Sequence, residues 1–328
     1  MSAADVEGAI LEALAYSDIF EYPLRLEQLH RYLPLRADAG QLSAALKSMR
    51  GQTEEVDGYY FLAGREGIVS IRMQREARSR SLLPRAMRYG CALGALPFVR
   101  MVALTGSLAV MNVSGDSDFD YMLVAARDRV WTARAFALAF NRLTRLQGYT
   151  LCPNLIVSEA ALEWHLHDLY SARELCQMIP ITGMDVYRKL MKANEWMGDY
   201  LPNALVESND LPPGNSRGFV PVFRRVLEFP LRGKPGDRFE GWEMKRKVAR
   251  FSKQDGFGEE TVFTAEVCQG NFQHHRKWTR EAFEERVNRI GTPALAPGAS
   301  VANPGRSGRV KQSPTYDGIA SPPIGSLQ

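Results

Sequence analysis

The sequence has little cysteine, four residues in 328, and no two of them form a CxxC pair. That excludes a zinc ribbon or a thioredoxin-type motif. Cys91, Cys152, Cys176 and Cys268 read instead as buried thiols of a reducing cytosol. Long apolar runs are also missing. The nearest approach to a membrane span, residues 89–115, is interrupted by Pro97, Arg100 and Asn112 and reads as strand and turn pieces. The first residues carry no basic cluster, and Glu7 and Glu12 interrupt any apolar leader, so the expectation is a cytoplasmic protein with no membrane partner. Neither sign of charge dominates: 41 basic and 37 acidic residues leave a net +4, no warrant by itself for nucleic-acid binding. Two catalytic patterns are absent. Gly64 and Gly67 are not followed by the Lys-Ser/Thr of a phosphate loop, and no G-x-S-x-G elbow occurs.

What is present is ordinary globular composition, 45% hydrophobic and 24% charged, with length for two compact domains. Apolar spacing predicts a helix through Val6, Ile10, Ala13 and Leu14 and a second through Leu26, Leu29, Tyr32 and Leu33. A third, with Leu42, Leu46 and Met49 on one face, is capped by Asp38. A hairpin follows, turning at Asp57-Gly58. Three helices and a hairpin are the order of a winged helix-turn-helix, which assigns residues 1–64 to a winged-helix-like module. Residues 65–97 form an arginine-rich connecting helix. Residues 98–205 form an α/β core with a helical extension: strands over 98–105, 119–125 and 149–157, a helix over 128–146, and helical pattern from 159 to about 200 with Leu169, Ala172, Leu175, Cys176 and Ile179 as its stripe. Residues 206–291 read as a helical region entered through a polar loop at 207–218, and residues 292–328 as a disordered tail. The fold class is α+β. Trp131, Trp164, Trp196 and Trp242 lie on helical stripes and are expected in the core.

The small net charge is unevenly spread. Residues 1–64 carry net −5 and residues 65–100 net +6. The third helix offers only Lys47 and Arg50, and the hairpin carries Glu54, Glu55 and Asp57, which argues against DNA as the partner of the front module. The arginines of the connecting helix are expected on a solvated face; the sharper alternative is that they reach a functional site or an RNA. His274, His275 and Cys268 are too few for a structural zinc site.

The informative segment runs from Leu104-Thr-Gly-Ser to Ser117-Asp-Phe-Asp-Tyr-Met-Leu-Val124. A Gly-Ser pair ends one apolar strand and an Asp-x-Asp opens the next. Asp118 and Asp120, two apart on a strand, project to one side. Their mutual repulsion is relieved by a cation, and hard carboxylate oxygens suit Mg²⁺ or Mn²⁺. Gly106 permits close approach of a ligand to the backbone, and the Ser107 hydroxyl can hold a phosphate oxygen.

This pattern resembles the DNA polymerase β-type nucleotidyltransferase superfamily, whose motif is Gly-Ser, a gap of this kind, then Asp-x-Asp leading into an apolar strand. The resemblance covers residues 98–158 and, more loosely, 159–205. It implies a small mixed sheet with helices and a metal-dependent transfer of a nucleoside monophosphate from an NTP such as ATP to an acceptor hydroxyl on RNA, protein or a small molecule. Carried over, Gly106 and Ser107 would grip the triphosphate, and Asp118 and Asp120 would hold the metal. The family's third carboxylate, on a later strand, is not found. Residues 151–157 offer only Asn154, whose carbonyl can reach a metal but which is no base at pH 7, and Glu159 lies past the strand end. That departure keeps open an alternative, a catalytically degenerate nucleotide-binding or regulatory protein. Asp116 reads as a turn residue.

Overall fold

The computed structural model describes residues 2–115, 118–204, 222–258 and 260–291. Asp116, Ser117, the loop at 207–218 and the tail from 292 lie outside the described residues.

The chain opens with α1 (Ala3–Asp18), α2 (Leu26–Tyr32), α3 (Ala39–Ser48) and a hairpin of β1 (Thr53–Val56) and β2 (Tyr59–Leu62). Ser2 and Asp38 start α1 and α3. Each accepts a bond from a first-turn N–H, while Asp5 and Gln41 reach back to the cap backbone. Asp57 and Gly58 both take positive φ, 54° and 78°, as the tight hairpin turn requires. There follow α4 (Gly67–Gly94), β3 (Val99–Leu104), the single turn α5 (Gly106–Ala109), β4 (Phe119–Ala125), α6 (Val130–Arg145), β5 (Leu151–Ser158), α7 (Leu169–Gln177), β6 (Ile179–Thr182) and α8 (Met184–Ala193). After the gap come α9 (Val222–Glu228), α10 (Lys234–Phe251), β7 (Thr261–Phe263), β8 (Val267–Gly270) and α11 (His275–Ile290).

Six strands make one mixed sheet in the order β6-β3-β4-β5-β8-β7. Only β4 and β5, joined through α6, run parallel; the other pairs are antiparallel. Two expectations need correction. Ile179 does not continue a helical stripe but begins β6, which pairs with β3. The region 206–291 is not purely helical, since its β7–β8 hairpin pairs with the free edge of β5. Both segments are three or four residues long, too short to carry a period of their own. Their conformation is set by the open sheet edges they cover.

Strand alternation gives the sheet two apolar faces. Met101, Ala103, Met122 and Val124 share one core with α7, α8 and the first three helices. Val102, Leu104, Tyr121, Leu123 and Ala125 share another with α4, α6 and α10. The front segment is thus packed into the main body. Trp131 is fully buried, whereas Trp242 is 55% exposed and Cys91 is exposed, contrary to expectation. No helix among the described residues is long and apolar enough to cross a membrane.

The arginines of α4 do not all lie on a solvated face. Arg72 is 3% exposed, its guanidinium 3.9 Å from the centre of the Tyr22 ring, and Nη1 donates to the carbonyls of Val110 and Met111 at 2.9 and 3.0 Å. Arg75 donates to the Phe20 carbonyl and pairs with Glu21. These side chains are struts between α4, the front helices and the segment after α5. Arg72→Ala is expected to cost about 2–4 kcal/mol in urea unfolding, because it leaves the Met111 carbonyl and a tyrosine face without a partner and the Val110 carbonyl with the Tyr22 hydroxyl alone. Arg72→Lys should recover little of that, since an ammonium lacks the planar fork. An alanine variant as stable as the parent would remove the strut.

Candidate functional site

The two motif segments meet at one end of the sheet. The Thr105 N–H donates to the Asp120 carbonyl at 3.0 Å, tying the turn after β3 to the start of β4. Gly106 takes φ 67°, and a Cβ there would collide with the Asp120 carboxylate. Glycine is required twice over at this position, by conformation and by space. Ser107 is half-buried beside it. The Thr105 hydroxyl is buried with no hydrogen-bond partner. Asp118 stands exposed just before β4, and Asp120, one full alternation on, lies within it.

Asp120 has the same parity as Met122 and Val124 and so faces the side of the sheet covered by α7. Burial, and then the charge of Asp118, push its carboxyl up to about 7, while a hydrogen bond with the Cys152 thiol works the other way. Cys152 is the residue that β5 places beside Asp120. Burial and the Asp120 and Asp118 charges push that thiol up to about 12, so it stays neutral and is neither nucleophile nor thiolate ligand at pH 7. Asn154 is not the register partner. It is the extra residue of a bulge, Tyr121 pairing with Pro153 and Met122 with Leu155. Glu159 lies beyond the opposite end of β5, where it accepts the Arg127 N–H at 3.2 Å.

A further carboxylate comes from α7. Burial, and after it the charge of Asp120, push Glu174 up to about 7. Its face of the helix is determined by its neighbours. Asp168 caps α7 by accepting the Ser171 N–H at 2.8 Å. Arg173, 3% exposed, lies between the rings of Tyr16 and Tyr32 at 4.6 and 4.0 Å and anchors the helix to α1 and α2. Sequence reasoning missed Glu174 because it looked for the third acid on a strand. The one available signal was a charged Arg173-Glu174 pair inside an otherwise apolar helical stripe.

Two carboxylates and a nearby hydroxyl without a partner are hard oxygen groups that fit Mg²⁺ or Mn²⁺, provided water and ligand phosphate oxygens complete the shell. Among the described residues no three His, Cys, Asp or Glu side chains are grouped so as to hold an ion by themselves. His274 stands at the start of α11 with φ 52°.

The raised carboxyls make the site a source of instability with a defined pH range. A carboxyl whose folded value lies above its unfolded one is tolerated below the unfolded value and disfavours folding as pH rises through the folded value. For Asp120 that window runs from 3.8 to about 7. Asp120→Asn should therefore raise stability at pH 8 by on the order of 1–3 kcal/mol and leave it nearly unchanged at pH 3.5. Thermal unfolding across that range checks it; a gain of equal size at both pH values would contradict the assignment.

Compared with protein-family models, with curated proteins and with solved structures, the chain finds no match, so the chemistry of this site is argued from its own residues.

Proposed function

We propose that the chain is a metal-dependent nucleotidyltransferase that moves a nucleoside monophosphate from an NTP to an acceptor hydroxyl. The observation that carries this reading is the meeting of the Gly106 turn with Asp118 and Asp120 at one end of the sheet, Gly106 lying against the Asp120 carboxylate; Glu174 of α7, raised by burial and then by the Asp120 charge, adds to it. The DNA polymerase β-type motif read from the sequence supports it, with Gly106 and Ser107 as the phosphate-binding pair.

In this reading Asp118 and Asp120 hold Mg²⁺ or Mn²⁺, which when bound supplies charge neutralisation for the phosphates and leaving pyrophosphate. Gly106 lets the triphosphate approach the backbone, and the Ser107 hydroxyl donates to it. Glu174, a carboxyl balanced near neutrality, accepts the proton of the attacking hydroxyl. The three helices and hairpin of residues 2–62 act as a winged-helix-like packing module and not as a DNA reader. Their strongest attachments, Arg72 on Tyr22 and Arg173 between Tyr16 and Tyr32, point into the protein.

One observation favours a second reading, a nucleotide-binding protein that does not turn over. The residue beside Asp120 on the next strand is a neutral thiol, and that strand carries no acid, whereas the superfamily motif has its third carboxylate on a later strand. Incubation with labelled NTPs, Mg²⁺ and cell extract separates the two, since only the first releases pyrophosphate. Asp118→Ala with Asp120→Ala is expected to abolish Mg²⁺-dependent nucleotide binding and turnover. Glu174→Gln should lower kcat by about 10²–10⁴ with nucleotide affinity preserved. Turnover unchanged in both variants would overturn the site; nucleotide binding without pyrophosphate in the parent would select the second reading.

A further inference from the structure

A concavity lies at the same end of the sheet, on the β6 side of the turn that carries Gly106. It is a cleft open to solvent, of about 350 Å³, between α2, the residues following α5, and the link from α7 to β6. Ile179, on its wall, pairs with Leu104, the last residue of β3 before that turn. The size is that of a small-molecule site.

Its polar groups are mostly engaged. The Tyr22 hydroxyl donates to the Val110 carbonyl at 2.8 Å and accepts from Gln28 Nε2 at 3.0 Å, and the Gln28 side-chain oxygen accepts the Arg25 N–H at 3.0 Å. Arg31 is different. Nη2 donates to the Cys176 carbonyl at 2.5 Å, Nε is buried with no partner, and among the described residues no carboxylate forms an ion pair with it. A guanidinium carries five donors and a full charge, so its bonds to the carbonyl and thiol of Cys176 leave part of its capacity unused. The remaining wall is mostly apolar, chiefly Val110, Met111, Met178 and Ile179 with the Tyr32 ring; Gln177 and the exposed Glu27 also line it, and Glu27 forms no ion pair with Arg31. Met111 is held at φ 58°, a conformation that costs a side-chain-bearing residue, and its carbonyl accepts from the buried Arg72. The strained segment forms one side of the cavity.

We propose that this cavity binds a small amphipathic anion, with a carboxylate or phosphate head on Arg31 and a compact apolar body against Met111, Met178 and Ile179. The head group decides recognition, because an arginine fork favours planar or tetrahedral oxyanions over neutral isosteres. The site is distinct from the carboxylate cluster, which repels anions in the absence of a cation, and it does not depend on the transferase reading.

The test uses the full chain and three probes of similar shape: benzoate, phenyl phosphate and neutral benzamide, followed by ligand-observed NMR without added metal. At least one of the two anions should bind the parent, and benzamide should not. Arg31→Gln should weaken that anion by on the order of tenfold. Met111→Gly relieves the left-handed strain while removing apolar wall, so it should weaken binding without lowering the unfolding temperature. Asp120→Asn should leave anion affinity unchanged. Which anion binds identifies the head group. Failure of both anions to bind, equal affinity in Arg31→Gln, or loss of binding in Asp120→Asn would each overturn the proposal.

Discussion

The constraint on which the rest of this structure depends is the partial burial of two carboxyl groups, Asp120 on β4 and Glu174 on α7, on the same side of a sheet. Each is pushed up to about 7 chiefly by loss of water. No described side chain supplies an ion pair to either. An arrangement of this kind persists only if the surrounding packing over-determines it. Here β4 sits between β3 and β5 in the middle of a six-stranded sheet, and α7 is fixed by its Asp168 cap and by Arg173 between two tyrosines. The acids cannot relax apart without breaking one of those attachments.

Arginine does most of that fixing. Arg72 and Arg75 join α4 to the front helices and to the segment after α5. Arg65 and Arg286 converge on Asp18 from opposite ends of the chain, at 2.6 and 2.9 Å. Arg100, Arg224 and Arg232 all meet the buried Glu228; against the cost of burial, Arg100, the Phe98 N–H and Arg232 hold its carboxyl down at about 2. Replacing one member of such a group leaves another charge buried and alone, which is more damaging than the pair is stabilising. Part of the basic excess of residues 65–100 is therefore used inside the molecule: Arg65 and Arg75 pair with Asp18 and Glu21 of the front segment, and Arg72 ties that segment down through Tyr22, while Arg78, Arg80 and Arg88 remain exposed.

That explains which parts of the structure were legible in the sequence. The first three helices and the Asp57-Gly58 hairpin are local features, set by capping residues, apolar period and turn chemistry, and they lie within a few residues of where the pattern places them. The strand leading into Gly106 and the strand carrying Asp120 are continuous apolar runs and were equally readable. β6, β7 and β8 were not, because their conformation comes from the strand edges they pair with. Arginine at 72 looks the same in sequence as arginine at 80, yet one is buried against Tyr22 and the other is exposed beside Glu76. Glu174 escaped for a related reason. Nothing local distinguishes a carboxylate on a helix until the helix is known to lie over Asp120.

The same geometry clarifies what the front helices contribute. Tyr16 and Tyr32, from α1 and α2, hold Arg173, and Arg173 orients the helix whose next residue is Glu174. Tyr22, Gln28 and Arg31 wall the cleft on the β6 side, while the carbonyls of Val110 and Met111 bind Tyr22 and Arg72 just past the Gly106 turn. A change in how α2 sits would thus reach the candidate site by two routes, through α7 on one side and through the segment after α5 on the other. Both routes run through packed, hydrogen-bonded contacts, the second through the irregular residues 110–113 held by Tyr22, Arg72 and Ser79, so small displacements are transmitted. For a module whose acidic surface is poorly suited to phosphate backbones, holding and orienting the site behind it is the role its contacts best account for.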